Sequence, residues 1–238
     1  MPARRPRRSS DSSANPFAGA GIARLGDDFT DRADERKVLA KALRTPKAHV
    51  LLVGPRRIGK TSLLRAVEED LRRAGHPVIY LDLWSSSTVE DVTTRLAQEA
   101  ARVLGRSWRE LPLAFARRLE LTLEPSRLAD GTMVPVPSLK LRHAPASQQR
   151  QRLVDALDTL DAQARAAGAQ LGVMLDEFQL IEVVGRDAAD GTAVSAVRQL
   201  RAAIQHHTNT TYVLAGSDRT LIDELSDPKH GPLHNLAR

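Results

Sequence analysis

Cysteine is absent from the 238-residue sequence. The chain therefore has no disulfide framework, no thiolate metal site and no cysteine nucleophile, and this composition fits a reducing cytoplasm. Aromatic residues make up only 3%, which argues against a base-stacking platform for single-stranded nucleic acid. No apolar run approaches the roughly 18 residues that span a bilayer, and no apolar stretch follows the basic N-terminus as it would in a secretory signal. We therefore expect a cytoplasmic protein with no membrane association.

The remaining composition is ordinary for a globular protein, with 42% hydrophobic and 27% charged residues. The formal net charge is +6, but four arginines lie within the first ten residues, at positions 4, 5, 7 and 8. Residues 1–28 combine proline, serine, glycine and arginine without apolar periodicity, and such a segment cannot bury enough surface to order itself. We predict a disordered basic tail there. It is either a solvated leader or an arm that contacts nucleic acid or another acidic partner.

Strand and helix patterns alternate from residue 29 to the end of the chain. Short apolar runs predict strands at 49–54, 77–84, 171–176 and 211–216. Helical periodicity predicts helices at 31–43, 61–74, 87–104, 151–167 and 192–207. The third of these helices begins with Ser87-Thr88-Val89-Glu90, which has the form of a capping box. The alternation predicts one α/β domain over residues 29–238, with an open parallel sheet flanked by helices on both faces.

One stretch, at about residues 105–149, is less regular. Leu119, Leu121 and Leu123 alternate with polar residues, and so do Leu139 and Leu141. This alternation predicts an irregular hairpin insertion. Residues 105–152 carry nine basic and four acidic side chains, a local charge of +5, so the insertion is a candidate surface for an acidic partner.

The strongest chemical motif follows the first predicted strand. Residues 54–61 fit the pattern G-x-x-x-x-G-K-[ST]. Together with the serine that follows the motif, they form the predicted ATP-binding set: Gly54, Pro55, Arg56, Arg57, Ile58, Gly59, Lys60, Thr61 and Ser62. Glycines allow backbone N–H groups to turn inward around a phosphate, and the N-terminus of the following helix favours the same negative charge.

Individual roles follow from the side-chain chemistry of this loop. Lys60 is predicted to reach the β- and γ-phosphate oxygens, and the Thr61 hydroxyl to complete a Mg²⁺ shell. Arg56 and Arg57 either contact phosphate or a neighbouring subunit, or are solvated loop charges.

Two carboxylates end the third predicted strand, where the buried run of residues 171–175 leads directly into Asp176 and Glu177. Carboxylates at the end of a buried strand are costly unless they face a metal or a polar pocket. We predict that Asp176 holds Mg²⁺ and that Glu177 is the general base for an attacking water. The alternative, a solvated acidic turn, is disfavoured by the phosphate loop elsewhere in the chain.

The fourth predicted strand ends in Gly216-Ser217-Asp218. If this strand lies between the first and the third, Ser217 reaches the γ-phosphate or the attacking water; otherwise the segment is a strand-ending turn. The predicted catalytic set is therefore Glu177, Lys60 and Ser217. None of the three asparagines is followed by lysine, so the chain has no guanine-reading Asn-Lys-x-Asp motif, and ATP is the expected nucleotide.

Four segments together resemble the archaeal-type P-loop ATPases of the AAA+/STAND group. They are Phe29-x-x-Arg32-x-x-Glu35, GPRRIGKTSLL at 54–64, LDEFQ at 175–179 and AGS at 215–217. The resemblance implies a five-stranded ATPase core of order 5-1-4-3-2, then a helical lid and often a winged-helix module. It places residues 29–35 beside the adenine, although a helix cap is an equal explanation of that segment.

These observations leave two functional hypotheses. The first is an ATP-binding protein in which Mg²⁺-dependent ATP hydrolysis drives a conformational switch. The alternative is a nucleotide-dependent DNA- or protein-binding adaptor with little turnover. Because only four strands are evident, we expect that the fifth strand and lid are either lost by truncation or supplied elsewhere. We also expect either self-association that provides an arginine in trans, or weak activity.

Overall fold

The computed structural model describes residues 32–104, 107–108, 110–119, 122–127, 131–138, 146–181 and 196–217. The predicted tail at 1–28, the motif residue Phe29 and the C-terminal residues from Asp218 onward lie outside the described residues. All predicted nucleotide, metal and catalytic residues lie inside them.

The main sheet has four strands, all parallel: β1 (Val50–Val53), β2 (Val78–Asp82), β5 (Leu171–Asp176) and β6 (Thr210–Gly216). Their spatial order is β1-β6-β5-β2. The last strand along the chain therefore lies between the first and the third strands of this sheet, which confirms the placement on which the prediction for Ser217 depended. All residues of the two central strands are buried, as expected of parallel strands that have helices on both faces.

Six helices accompany the strands in the described residues. They are α1 (Ala33–Leu43), α2 (Lys60–Arg73), α3 (Val89–Leu104), α4 (Leu111–Leu119), α5 (Ala146–Ala166) and α6 (Ala196–Ile204). Five of them correspond to predicted helices, with ends that differ by a few residues. Within the described residues, no helix combines the length and the apolar character needed to cross a bilayer.

Two apolar cores, one on each face of the sheet, confirm the predicted layering. Leu171, Val173 and Leu175 of β5 point to one face and pack with residues of α3, α4, α5 and α6. Met174, from the same strand, points to the other face and packs with residues of α1 and α2. This division follows from the alternation of side chains along a strand, and each fully buried aliphatic side chain contributes about 1.5–3 kcal/mol.

The insertion differs from its sequence prediction in one element. The antiparallel hairpin is present as β3 (Thr122–Arg127) and β4 (Met133–Ser138), paired from Thr122 with Ser138 to Arg127 with Met133. The sequence prediction placed Leu119 in the alternating pattern at the start of the hairpin. In the structure, Leu119 is the last residue of helix α4. Leu111, Phe115 and Leu119 are buried at helical spacing, so the short leucine alternation was misleading because it overlapped a helical stripe.

The cap of α3 also differs from its prediction. Thr88, rather than Ser87, accepts the capping hydrogen bond, from the Asp91 N–H to Oγ1 at 3.0 Å. The Asp91 carboxylate accepts from the Ser87 N–H at 3.2 Å. The cap therefore lies one residue later than predicted, and the return hydrogen bond goes to the residue before the cap rather than to the cap itself, so a reciprocal capping box is not formed.

Candidate nucleotide-binding and catalytic site

The phosphate loop joins the carboxyl end of β1 to the N-terminus of α2. Gly54 donates its N–H to the Gly216 carbonyl at 3.4 Å, so the start of the loop stays registered with β6. A Cβ at Gly54 would collide with Ile58 Cδ1 across the loop. Gly59 has a φ of 85° at the N-cap of α2, in the left-handed region that glycine adopts at little cost. Gly59 therefore has the conformational role that the motif requires, whereas the contact at Gly54 is with the tip of an exposed side chain that can move away.

Lys60 is folded back into this loop. Its ammonium donates to the Gly54 carbonyl at 2.6 Å and to the Pro55 carbonyl at 2.9 Å, and only 6% of the residue is exposed. Burial lowers the pKa of Lys60, while the negative charges of Glu177 and Asp176 oppose that change. Lys60 is thus a buried cation inside a loop of inward-facing backbone, where an anionic oxygen would be a better partner than a carbonyl.

The two predicted metal ligands contact each other. The Thr61 hydroxyl donates to Asp176 Oδ2 at 2.7 Å, although the two residues are 115 positions apart in the sequence. Asp176 is 1% exposed, and its Oδ1 accepts the Glu177 N–H at 3.0 Å. The donor set suits Mg²⁺, which is usually held by one or two protein oxygens together with waters and phosphates. In keeping with this, the described residues contain no cluster of three or more His, Cys, Asp or Glu that could hold a metal alone.

Tyr80 of β2 also contacts this carboxylate and was not predicted from the sequence. Its hydroxyl donates to Asp176 Oδ2 at 2.9 Å, and its ring lies under the Arg65 guanidinium, 3.6 Å from the ring centroid. Burial, and next the charge of Asp176, raises the pKa of Tyr80 far above its usual value. The hydroxyl therefore stays protonated and remains a donor, which fixes one oxygen of the Asp176 carboxylate.

The predicted base and the predicted γ-phosphate contact lie together as well. The Ser217 hydroxyl donates to Glu177 Oε2 at 2.7 Å. The Phe178 N–H donates to the Ala215 carbonyl at 2.8 Å, which fastens the turn after β5 to β6. Glu177 itself has a φ of 53°, a conformation that non-glycine residues rarely adopt and that concentrates at functional sites.

The four residues from Pro55 to Ile58 are exposed at the rim of the site. Arg56 lies over the ring of Trp84, 5.1 Å from its centroid. Arg57 has a φ of 67°, so the loop turns sharply there. At the other end of the loop Ser62 is buried in the first turn of α2. The positive charges of Arg32 and Arg56 both act to lower the pKa of Lys60. Both arginines are therefore close enough to Lys60 for their charges to affect it.

Three residues that lie in this region were not predicted from the sequence to belong to the site: Tyr80, Trp84 and Gln179. The Gln179 side chain donates hydrogen bonds to both Glu177 and Ser217. Tyr80 and Trp84 flank the end of β2 and carried no recognisable motif. Gln179 belonged to the quoted LDEFQ segment, but the pattern alone assigned it no role.

A strand, a glycine loop and a helix that together surround a lysine, with an Asp-Glu pair at the end of a neighbouring strand, define the P-loop NTPase class. A family of ATPase domains found predominantly in Archaea matches residues 29–235. The chain belongs to this family. No curated protein matches the sequence.

One solved structure shares the fold, and a second has a lower structural similarity. The Walker-type ATPase PABY2304 of Pyrococcus abyssi is 22% identical, with a TM-score of 0.52, over 87% of this chain and 51% of its own. The Aeropyrum pernix ORC2 protein, in ADPNP–ADP complexes, is 16% identical with a TM-score of 0.47, over 83% of this chain and 44% of its own. The chain thus spans about half the length of these structures.

Proposed function

We propose that the chain binds ATP with Mg²⁺ through residues 54–62 and hydrolyses it, and that hydrolysis drives a conformational switch. One observation carries the proposal: the carboxyl ends of β1, β5 and β6 bring Lys60, the Thr61–Asp176 pair and the Glu177–Ser217 pair to one edge of the sheet. The family to which the chain belongs supports ATP as the nucleotide.

Phosphate binding is supported by the charges and dipoles of the loop. The N-terminus of α2, a helix of 14 residues, offers backbone N–H groups and positive partial charge to an anion. Lys60 is already inside the loop, so it has only to exchange two carbonyl oxygens for phosphate oxygens. Thr61 and Asp176 would hold Mg²⁺, which when bound neutralises charge on the β- and γ-phosphate oxygens.

Glu177 is the proposed proton acceptor. A water oxygen forms a bond to the γ-phosphorus, and the bond from that phosphorus to the bridging oxygen breaks, leaving its electron pair on ADP. The proton of the water passes to the Glu177 carboxylate. The Ser217 hydroxyl donates to that carboxylate and follows the strand next to β1. These two observations support the proposal that it contacts the γ-phosphate or the water.

The switch is proposed from contacts that a nucleotide would have to replace. Lys60 bonds to the carbonyls of Gly54 and Pro55, and Thr61 bonds to Asp176. Phosphate would take over the two ammonium bonds of Lys60, whereas the Thr61 hydroxyl can keep its bond to Asp176 and still offer an oxygen lone pair to Mg²⁺. Binding and release would therefore rearrange the loop, and with it Arg56, whose partner Trp84 is 59% exposed.

The variant Glu177→Gln tests the chemical step. The amide keeps the size of the side chain but cannot accept the proton, so turnover should fall by roughly 10²–10⁴-fold, while ATP affinity by calorimetry should stay unchanged. Glu69→Gln is the matched control, because Glu69 lies on the surface of α2, where it forms an ion pair with Arg73. Parental turnover in Glu177→Gln would refute Glu177 as the base.

The adaptor hypothesis has its own supporting observation. Arg117 of α4 and Arg127 of β3 are exposed on the basic insertion, where they could contact DNA or an acidic partner protein. If DNA binds there, its affinity should fall steeply with salt concentration and should depend on ATP.

Self-association, one expected source of an arginine in trans, is a separate question. Sedimentation at increasing protein concentration, with and without ATP, tests it.

A further inference from the structure

Gln179 is a buried amide that joins the two residues flanking the proposed reaction. Its Nε2 donates to Glu177 Oε2 at 2.5 Å and to Ser217 Oγ at 3.3 Å. Its Oε1 accepts the Ser217 N–H at 3.4 Å. The residue is 4% exposed, so these bonds form away from bulk water and are costly to leave unmade.

The bonds to Glu177 are unequal between its two carboxylate oxygens. Ser217 Oγ and Gln179 Nε2 both donate to Oε2. Within the described part of the chain, Oε1 has no hydrogen bond. A carboxylate with two donors on one oxygen and none on the other is held in one orientation, with the second oxygen left to accept from a water.

Glutamine suits this position because it donates and accepts at the same time. Leucine would leave the Ser217 N–H without its acceptor and Glu177 without a donor. Glutamate would keep the acceptor for Ser217 N–H, but it would place a second carboxylate where Glu177 needs a donor. Only the amide satisfies both neighbours at this length of side chain.

We propose that Gln179 is a positioning residue: with Ser217 it clamps Glu177 through Oε2, and so reserves Oε1 for the attacking water. This rests on the proposed function. The contacts of Gln179 are with Glu177 and Ser217, so we assign it an action through the orientation of Glu177 and not a contact with the reacting atoms. Its removal lets the carboxylate rotate, and a displacement of about 1 Å in a reacting group can lower a rate on the order of a hundredfold.

The test compares Gln179→Leu and Gln179→Glu with Gln170→Leu. Gln170 lies at the opposite end of β5, where its amide donates to Thr211 Oγ1 at 3.0 Å, so the control removes a similar amide bond from the same two strands. For both Gln179 variants we expect kcat to fall roughly ten- to a hundredfold. The KM for ATP·Mg should stay within about threefold of the parental value, because the interaction lost acts on the chemical step and not on substrate binding. Gln170→Leu should leave both constants unchanged.

A double-mutant cycle separates positioning from a merely structural role. In the Glu177→Gln background, Gln179→Leu should cause no further loss in single-turnover rate, because the base that it positions is already gone. A structural role would lower the residual rate by the same factor in both backgrounds. Gln179→Glu, nearly identical in shape, still decides the matter if Gln179→Leu fails to fold.

The outcomes distinguish the two proposals. If Glu177→Gln keeps parental turnover, the proposed function fails. If Glu177→Gln loses turnover while Gln179→Glu keeps parental kcat, or if the cycle is additive, only the role of Gln179 is overturned.

Discussion

Substituting Lys60 by alanine is the most direct perturbation of the phosphate loop. The side chain is 6% exposed, and its ammonium is held by two backbone carbonyls, at 2.6 and 2.9 Å. Burial is the largest cause that lowers the pKa of Lys60, so two neutral carbonyl oxygens compensate the charged form poorly. A phosphate anion would compensate it, which is why this residue should contribute strongly to nucleotide affinity.

The size of the expected loss in ATP affinity follows from the change in the hydrogen-bond acceptors of Lys60, from neutral carbonyl oxygens to charged phosphate oxygens. On binding, Lys60 would exchange its bonds to two carbonyl oxygens for bonds to phosphate oxygens, so only the difference in strength between the two kinds of bond appears as affinity. That difference is about 1–1.5 kcal/mol per bond, or about 2–3 kcal/mol for the two bonds. Lys60→Ala should therefore weaken ATP·Mg binding roughly ten- to a hundredfold.

Isothermal titration calorimetry of ATP·Mg measures this loss directly. Lys37→Ala is the matched control, because Lys37 is 79% exposed and its ion pair with Asp34 lies on the surface of α1. Circular dichroism of each variant verifies the fold. Equal ATP affinity in the parent and in Lys60→Ala would show that the loop does not bind phosphate in the way we propose.

Two further predictions concern buried polar groups. Tyr80→Phe removes a donor from Asp176, so the Mg²⁺ concentration that half-saturates ATP hydrolysis should rise about 10–100-fold; an unchanged Mg²⁺ titration would contradict the positioning of Asp176 by Tyr80. Burial, and next the charge of His207, lowers the pKa of His49 from 6.5 to about 4. The unfolded chain then binds the proton more readily, so stability is fully present above pH 6.5 and is lost as pH falls toward 4, by roughly 3 kcal/mol. His49→Asn cannot titrate in this range, so its urea-unfolding free energy should fall less steeply between pH 7 and pH 4; parallel curves would refute the assignment.

Much of the site was readable from the sequence because its motifs are local. The residue types at 54–62 need only a strand before and a helix after, and both are set by apolar periodicity. Asp176 and Glu177 were recognised by the buried run that precedes them. In each case the chemistry is encoded by neighbours in the chain, so no knowledge of the tertiary fold was required.

The assignment of Leu119 to the hairpin, where the structure has the end of helix α4, was wrong for a related reason. Leucines at 119, 121 and 123 satisfy a strand pattern locally, whereas burial of Leu111, Phe115 and Leu119 against the core selects a helix. A pattern of three residues is too short to exclude the other period, and packing decided between them.

The sequence by itself thus determined the class of fold, the phosphate loop and the acidic strand end, because periodicity and motif spacing are properties of consecutive residues. The residues themselves left open whether β6 lies between β1 and β5, an order that only the resemblance to the ATPases implied. The tertiary structure decided this order, which brings Ser217 to Glu177. It alone decided that Tyr80 reaches Asp176 and that Gln179 closes the contact between Glu177 and Ser217. Most of these contacts join residues 38 to 96 positions apart, and the contact between Gln179 and Glu177 depends on how a turn is oriented. They are fixed by the order of the strands and the direction of the backbone, which no single segment of the sequence determines.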